Sequence, residues 1–544
     1  MISELSPVQE PKNAAAGISP IFVLILLTYL GVGSYLLPYF QYQINPDGVS
    51  YISIAQKYLN GNFADAINGY WGPLLSWLLV PFLYFGVFHL VAPKILSLII
   101  GMIALAGARI LSRRFEMPEL LRNILLFSLI PIILSLAFKI TTPDLLIATV
   151  LVFYFAIIFN SNYRKNNSHG WLCGTLGSLS YFAKSYGFPF FVTHFLVFNG
   201  LHYFGAATSV DKKNVLRNFI SGMVIFSILS GVWIFLISRK YDRFTFSTAA
   251  SFNYGLTNGY IHEYMLVPPS NATAISYWED PSLSPIPILP QAIGHADAKN
   301  RSDSQTRISP SAKLAYRVRD LFTNIDATIS VFQAFSKFFV IVIIAGAAWL
   351  CLPFSKPILQ SSVFFSMLTL AIYSGGYVLI FVEERYFEIV YFLLMPMGFY
   401  LAGLLLRLKK KLYLRAIPIA LLGLFVYSCW IEPIDYLVRW KGVDRGRFEQ
   451  SKKLARYDIS GKVASDYRWG LTLEIAFYNN YKYYGTTGHG EGGRDVWEEL
   501  QENDIDYYFV WDPKFKFGSD SKEIINDEIK GLRVYSLKEN SKIQ

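Results

Sequence analysis

Apolar runs of about 20 residues, parted by short charged loops, recur along most of the chain, and each is long enough to cross the roughly 30 Å hydrocarbon core of a bilayer. ISPIFVLILLTYLGVGSYLL opens the pattern and FSMLTLAIYSGGYVLIFV repeats it near residue 380. Lipid offers the backbone no hydrogen-bond partner, so each such run must be helical. The pattern predicts about eleven spans, near 21–37, 95–111, 121–138, 143–160, 171–183, 188–204, 216–237, 336–352, 360–381, 387–406 and 415–431.

Basic residues fall in four of the connecting loops: Arg113, Arg114 and Arg122; Arg164 and Lys165; Lys212, Lys213 and Arg217; and the cluster RLKKKLYLR at 407–415. By the positive-inside rule these loops are cytoplasmic, and they agree with one another in parity. One apolar segment breaks the count. PLLSWLLVPFLYFGVFHLV, from Pro73, would invert everything upstream if it crossed, but it carries Pro81 and Gly86. It is expected to lie as a juxtamembrane or re-entrant pair on the outer side.

The resulting organisation is a cytoplasmic tail over 1–20, a membrane domain over 21–431 with outer loops at 38–94 and 238–335, and an extracytoplasmic domain over 432–544. The last part alternates short β-like runs (GKVASDYRW, YKYYGTTG, DYYFVW, GLRVYSL) with the helix-like VWEELQEN, which predicts a small α/β domain. The fold class expected is therefore an α-helical polytopic membrane protein with a C-terminal α/β domain. No cleavage site follows the first apolar run, so it is expected to be retained.

Composition agrees: of 544 residues, 53% are hydrophobic, 17% aromatic and only 16% charged, more apolar surface than a soluble domain hides. The net charge of +10 would suit a nucleic-acid partner, but its carriers sit in the short loops as membrane anchors, so no nucleic acid is expected. Cys173, Cys351 and Cys429 lack metal-ligand spacing and read as packing residues. GTTGHGEGG, from Gly485, lacks the GK[ST] ending of a phosphate loop, and the sequons at Asn271 and Asn300 are as frequent as chance allows.

Ionisable residues at helix ends carry the candidate chemistry, because burying one near hydrocarbon is costly unless it is paired or used. Asp47, Asp144, Lys184, Glu383, Glu384 and Arg385 all come out on the outer face. Asp47 lies in NPDGVSYISIAQKYLNGNF, where Asn-Pro-Asp-Gly is also good turn chemistry, and the helical run after it is expected to lie on the membrane surface. Asp144, in KITTPDLLIA, is also placed to cap a helix. Lys184 in YFAKSYGFPFF and Arg385 in VEERYFEIVYFLLMP are cations amid aromatic neighbours, suited to a lipid-linked phosphate but also to snorkelling.

In their order along the chain, PDGVSYISIAQKYLNGNF, GYWGPLLSWLL, TTPDLL and RYFEIVYFLLMP resemble the GT-C glycosyltransferases, in the branch of protein O-mannosyltransferases and lipid A aminoarabinose transferases. The resemblance implies that Asp47 is the catalytic acid of the family, Asp144 its second acid, and Arg385 with Tyr386 the Arg-Tyr pair before the late helix. Lys184, Arg385 and Tyr386 would then meet the donor phosphate. Gly48 stands where relatives often carry a second acid, and Trp71, Gly72, Pro73 and Leu74 where they often carry Lys-Pro-Pro-Leu. The implied partners are a polyprenyl-phosphate-linked sugar, membrane lipids, and a glycan, lipid or protein acceptor that the sequence leaves open. The cofactor is likewise open; no metal ligand set is assigned, although a divalent cation is compatible with the two acids. The expected location is a bacterial plasma (inner) membrane, with the N-terminus cytoplasmic and the C-terminus outside. A multipass transporter or lipid flippase is the alternative class, and it would place its charges at the bilayer midplane.

Overall fold

The computed structural model describes residues 19–257, 266–283, 310–351, 361–408, 412–487, 496–515, 522–525 and 529–538. Asn300, most of the GTTGHGEGG run and Lys409 to Lys411 of the basic cluster lie outside the described residues. A helix stands at each of the eleven expected places. The chain begins with α1 (Pro20–Phe40), passes through three short helices, α2 (Pro46–Leu59), α3 (Phe63–Ala66) and α4 (Pro73–Tyr84), and continues with α5 (Val91–Ser112), α6 (Glu119–Lys139) and α7 (Asp144–Ile158). It goes on through α8 (His169–Ala183), α9 (Gly187–Phe204), α10 (Ser209–Lys240) and α11 (Ala249–Thr257). The helical part is completed by α12 (Pro310–Phe335), α13 (Lys337–Leu350), α14 (Ser362–Val378), α15 (Ile389–Leu408) and α16 (Leu412–Arg439).

Among the described residues six helical stretches, those of α1, α5, α6, α10, α15 and α16, are long and apolar enough to cross a membrane. The pair α12 and α13, bent by 109° around Ser336, is a seventh if it counts as one span. At 1.5 Å per residue, the 15 residues of α7 or α8 reach only about 22 Å, so they cross a full core only if it thins or their flanking residues complete the path. The outer loop expected to run to residue 335 in fact ends in α12.

The segment at Pro73 forms no long helix. Its helix, α4, has 12 residues and so a length of about 18 Å, too short for the core. It packs beside α2, where the Ser76 hydroxyl donates to the Tyr51 carbonyl at 2.9 Å. Gly72 brings its start against the end of α8: a Cβ there would stand 2.5 Å from the Ala183 carbonyl oxygen. Glycine works similarly between α8 and α10, where a Cβ on Gly174 would meet the Gly222 carbonyl oxygen at 2.2 Å, so the two backbones touch.

After α17 (Val443–Lys453) comes a sheet of five described strands: β1 (Lys462–Ser465), β2 (Lys482–Thr486), β3 (Tyr507–Val510), β4 (Lys522–Glu523) and β5 (Arg533–Ser536). Their order is β2-β1-β3-β5-β4, with β1 parallel to β2 and β3, and β5 antiparallel to β3 and β4. The crossover from β1 to β2 is α18 (Trp469–Asn479), and α19 (Val496–Glu502) lies between β2 and β3. Each β-like run of the sequence supplies one strand. The inner parallel strands β1 and β3 are buried, as strands under crossover helices should be.

One segment joins the two parts. Residues 266–283 form a strap that lies along β2 at one end and across α2 at the other. Val267 N–H donates to the Tyr484 carbonyl at 2.7 Å and Tyr483 N–H to the Ile275 carbonyl at 2.8 Å, while Lys482 Nζ donates to the carbonyls of Ala272 and Ala274, each at 2.7 Å.

Candidate active site

Pro46 occupies the first turn of α2, where its fixed φ suits a helix and its missing N–H costs nothing. Asp47 follows in that turn, where the helix dipole favours a negative charge. The turn reading of Asn-Pro-Asp-Gly therefore gives way to a helix start. Asn45 spends its side chain elsewhere, its Oδ1 accepting from Thr141 N–H at 2.9 Å, which ties the start of α2 to the loop before α7. Helix α2 is covered by α4, α18 and the strap, and most of its residues from Asp47 to Lys57 are buried.

Asp47 is only 7% exposed, and both of its oxygens are engaged. Its Oδ2 forms an ion pair with Arg385, and its Oδ1 accepts from the Trp278 indole N–H at 3.3 Å. Arg385 also reaches Glu383, Nε to Oε2 at 2.6 Å. Asp144, 3% exposed, begins α7 without capping it; its Oδ1 stands 2.5 Å from Lys184 Nζ. Lys184 in turn lies over the Tyr386 ring, 3.5 Å from its centre, a close cation–π contact. Tyr386 stacks on Tyr377, and Tyr377 on Tyr186, at 4.9 and 3.8 Å between ring centres. Asp47, Asp144, Lys184, Arg385 and Tyr386 thus form one connected group drawn from α2, α7, the α8–α9 junction and the turn before α15.

The sequence reading missed the covering of this group. Trp278 arrives on the strap, more than 200 residues from Asp47 in the chain. Its carbonyl accepts from the Trp71 indole at 3.0 Å and from Ser50 Oγ at 3.2 Å, and its ring meets Trp71, Tyr70, Phe252 and Trp469 edge-on or tilted. The strap is fixed by buried charges. Glu279 pairs with Lys57, and Asp280 with Lys240 at 3.0 Å while accepting from Tyr241 O–H at 2.8 Å. Burial pushes both carboxyls upward from their ordinary range, and the two lysines oppose that shift.

Lys94 was also missed. It is wholly buried at the start of α5 and donates to Gln43 Oε1, to the Phe138 carbonyl and to Thr141 Oγ1, the last two at 3.3 Å. It therefore braces the loop before α2 against the loop before α7, the two loops that deliver Asp47 and Asp144. Among the described residues no group of three or more His, Cys, Asp or Glu side chains is placed to hold a metal ion. The two acids do not fit one as arranged, since each is already paired with a cation.

This helical bundle, with short helices between its first two long ones, two acids at one end and a mixed α/β domain over that end, has the GT-C glycosyltransferase fold. In particular, it is similar to the ArnT protein of Cupriavidus metallidurans in the apo state, with a TM-score of 0.54 and 11% identity over 94% of this chain and 98% of that one. ArnT bound to undecaprenyl phosphate gives 0.53 and 12% over 95% and 97%. The Archaeoglobus fulgidus oligosaccharyltransferase complex with Zn and sulfate gives 0.54 and 11% over 90% and 67%. No protein-family model matches the chain, and no curated protein matches its sequence.

Proposed function

We propose that this chain is an inverting glycosyltransferase that moves a sugar from a polyprenyl-phosphate donor to an acceptor on the extracytoplasmic face. The observation that carries this reading is the buried Asp47–Arg385 pair, joined through Tyr386 to the Asp144–Lys184 pair. An acid and a cation are held within reach of one another under the Trp278 cover, with Asp47 buried and Arg385 still about a quarter exposed.

Asp47 is the general base. It takes the proton of an acceptor hydroxyl or amine as that group attacks the anomeric carbon from the side opposite the phosphate. The bond from that carbon to the phosphate oxygen breaks, and the electron pair leaves with the polyprenyl phosphate. Arg385 and Lys184 stabilise the charge on the departing phosphate, with Tyr386 holding Lys184 in place. In the structure Arg385 occupies Asp47 Oδ2. A phosphate that draws the guanidinium away frees that oxygen to take the acceptor's proton, so the donor itself arms the base. Asp144 holds Lys184 in the site. A divalent ion would have to displace Arg385 or Lys184 from the acids. The lipid-phosphate leaving group is supported by the fold likeness to a protein solved with undecaprenyl phosphate.

The test is to incubate the purified chain with a panel of undecaprenyl-phosphate sugars and measure release of undecaprenyl phosphate. One donor should be consumed. Asp47→Asn should slow that consumption by about 10²–10⁴-fold, the usual worth of a positioned base, while the protein remains folded. Turnover unchanged in Asp47→Asn removes Asp47 as the base, and no consumption of any donor returns the transporter alternative.

A further inference from the structure

A cavity of about 210 Å³ opens beside Arg385, between the ends of α6, α12 and α16 and the turn before α15. Lys139, Glu383, Glu384, Glu388 and Glu432 line it together with Arg385. That is room for several waters or one sugar ring, but not for a chain of them.

Its charges are nearly all spoken for. Lys139 holds Glu384 at 2.8 Å and Glu432 at 2.7 Å, and Arg385 holds Glu383 as well as Asp47. Glu388 is the exception. It is only 5% exposed and makes no ion pair or side-chain hydrogen bond among the described residues, and of its two oxygens Oε2 is sealed off, which leaves Oε1 to the cavity. A buried carboxyl group left in that state is costly, and such groups mark places where a partner belongs. Asp144 and Lys184 also face it electrostatically, so the cavity adjoins the proposed reaction centre.

We propose that Glu388 is a sugar-binding residue, accepting a hydrogen bond from a hydroxyl or ammonium substituent of the single sugar that the donor carries. This rests on the donor reading given above. Arg385 is shared between the cavity and Asp47, so a phosphate meeting Arg385 leaves its attached sugar to enter the cavity. The four glutamates outnumber the two cations, which disfavours an acidic sugar there.

The experiment measures affinity of the full chain for bare undecaprenyl phosphate and for the same lipid phosphate carrying glucose, mannose, glucosamine or glucuronate. The wild type should bind a neutral or amino-sugar donor at least about tenfold more tightly than the bare lipid. Preference for glucosamine would identify an ammonium as the partner, and preference for glucose or mannose a hydroxyl. Glu388→Gln should lose that increment and bind the bare lipid unchanged. Glu388→Asp, which keeps the carboxylate but shortens its reach, should lose the same increment and serves if the amide variant does not fold. A sugar increment unaffected in both variants, no increment in the wild type, or tightest binding of the glucuronate donor overturns the proposal while leaving the donor reading intact. Failure of the wild type to bind even bare undecaprenyl phosphate overturns the donor reading and this proposal with it.

Discussion

Arg385 has two carboxylates to serve, Asp47 and Glu383, and only a planar guanidinium reaches both at once. Arg385→Lys keeps the charge but not the fork, and should lower kcat/KM for the lipid donor by about tenfold; Arg385→Gln should lower it by about a hundredfold or more. Steady-state kinetics over a range of donor concentrations separates the two, and equal loss in both variants would argue that only the fork matters. At this scale much of the site was legible: Asp47, Asp144, Lys184 and Arg385 stood out as ionisable groups where burial is expensive, and they do meet. Glu388 was passed over although it lies three residues after Arg385, because it borders an apolar run and reads as that run's polar edge. Trp278 could not be found at all, since an aromatic residue in a polar loop carries no mark of the partner it reaches.

Among the elements, the strap behaves as a separate piece with its own fastenings. Lys57→Met would leave Glu279 buried and unpaired, a change that costs about 3–5 kcal/mol when it breaks a buried pair. Hydrogen exchange over 266–283 should then quicken by about a hundredfold or more, with α5 and α6 unchanged, and adding Glu279→Gln should restore part of the protection. Unchanged exchange would mean that the backbone bonds to β2 suffice. Gly72→Ala should drive α4 away from α8 and displace the adjoining Lys184, lowering activity without unfolding the bundle; solved as a variant structure, it should show the Lys184–Asp144 distance lengthened. Helix positions followed from apolar runs, and strands from β-branched and aromatic runs between turns. The strap was not legible because it has no periodicity of its own: its hydrogen bonds belong to an edge strand more than 200 residues away. The short α2 and α4 were read only in part, since a helix buried on several sides by distant segments has the composition of one lying on a membrane.

The molecule as a whole carries a pH sensitivity, seated in its α/β domain. Glu474, in α18, is pushed up to about 8 by burial, with Asp444 adding to the shift and Arg447 opposing it. In the unfolded chain it ionises near 4.5, so between that pH and about 8 the folded state holds the extra proton and stability falls as pH rises. Above about 8 the penalty is constant. Glu474→Gln removes it, so the variant should melt several degrees above the wild type at pH 8.5, at about 2–4 °C per kcal/mol, and the two should converge near pH 5. A gap independent of pH would assign the gain to packing.

The way the strap is held also fixes when the protein becomes competent. Ribosomes deliver Asp47 first, its cover some 230 residues later, and β2, to which that cover is bonded, about 200 residues after that. Every bilayer-embedded helix is therefore in place before the site closes. A nascent or truncated chain lacking 482–486 would leave its acid–cation pair without the strap's anchor on β2. Synthesis of β2 is in this sense the step that closes the site, a safeguard written into the order of the sequence.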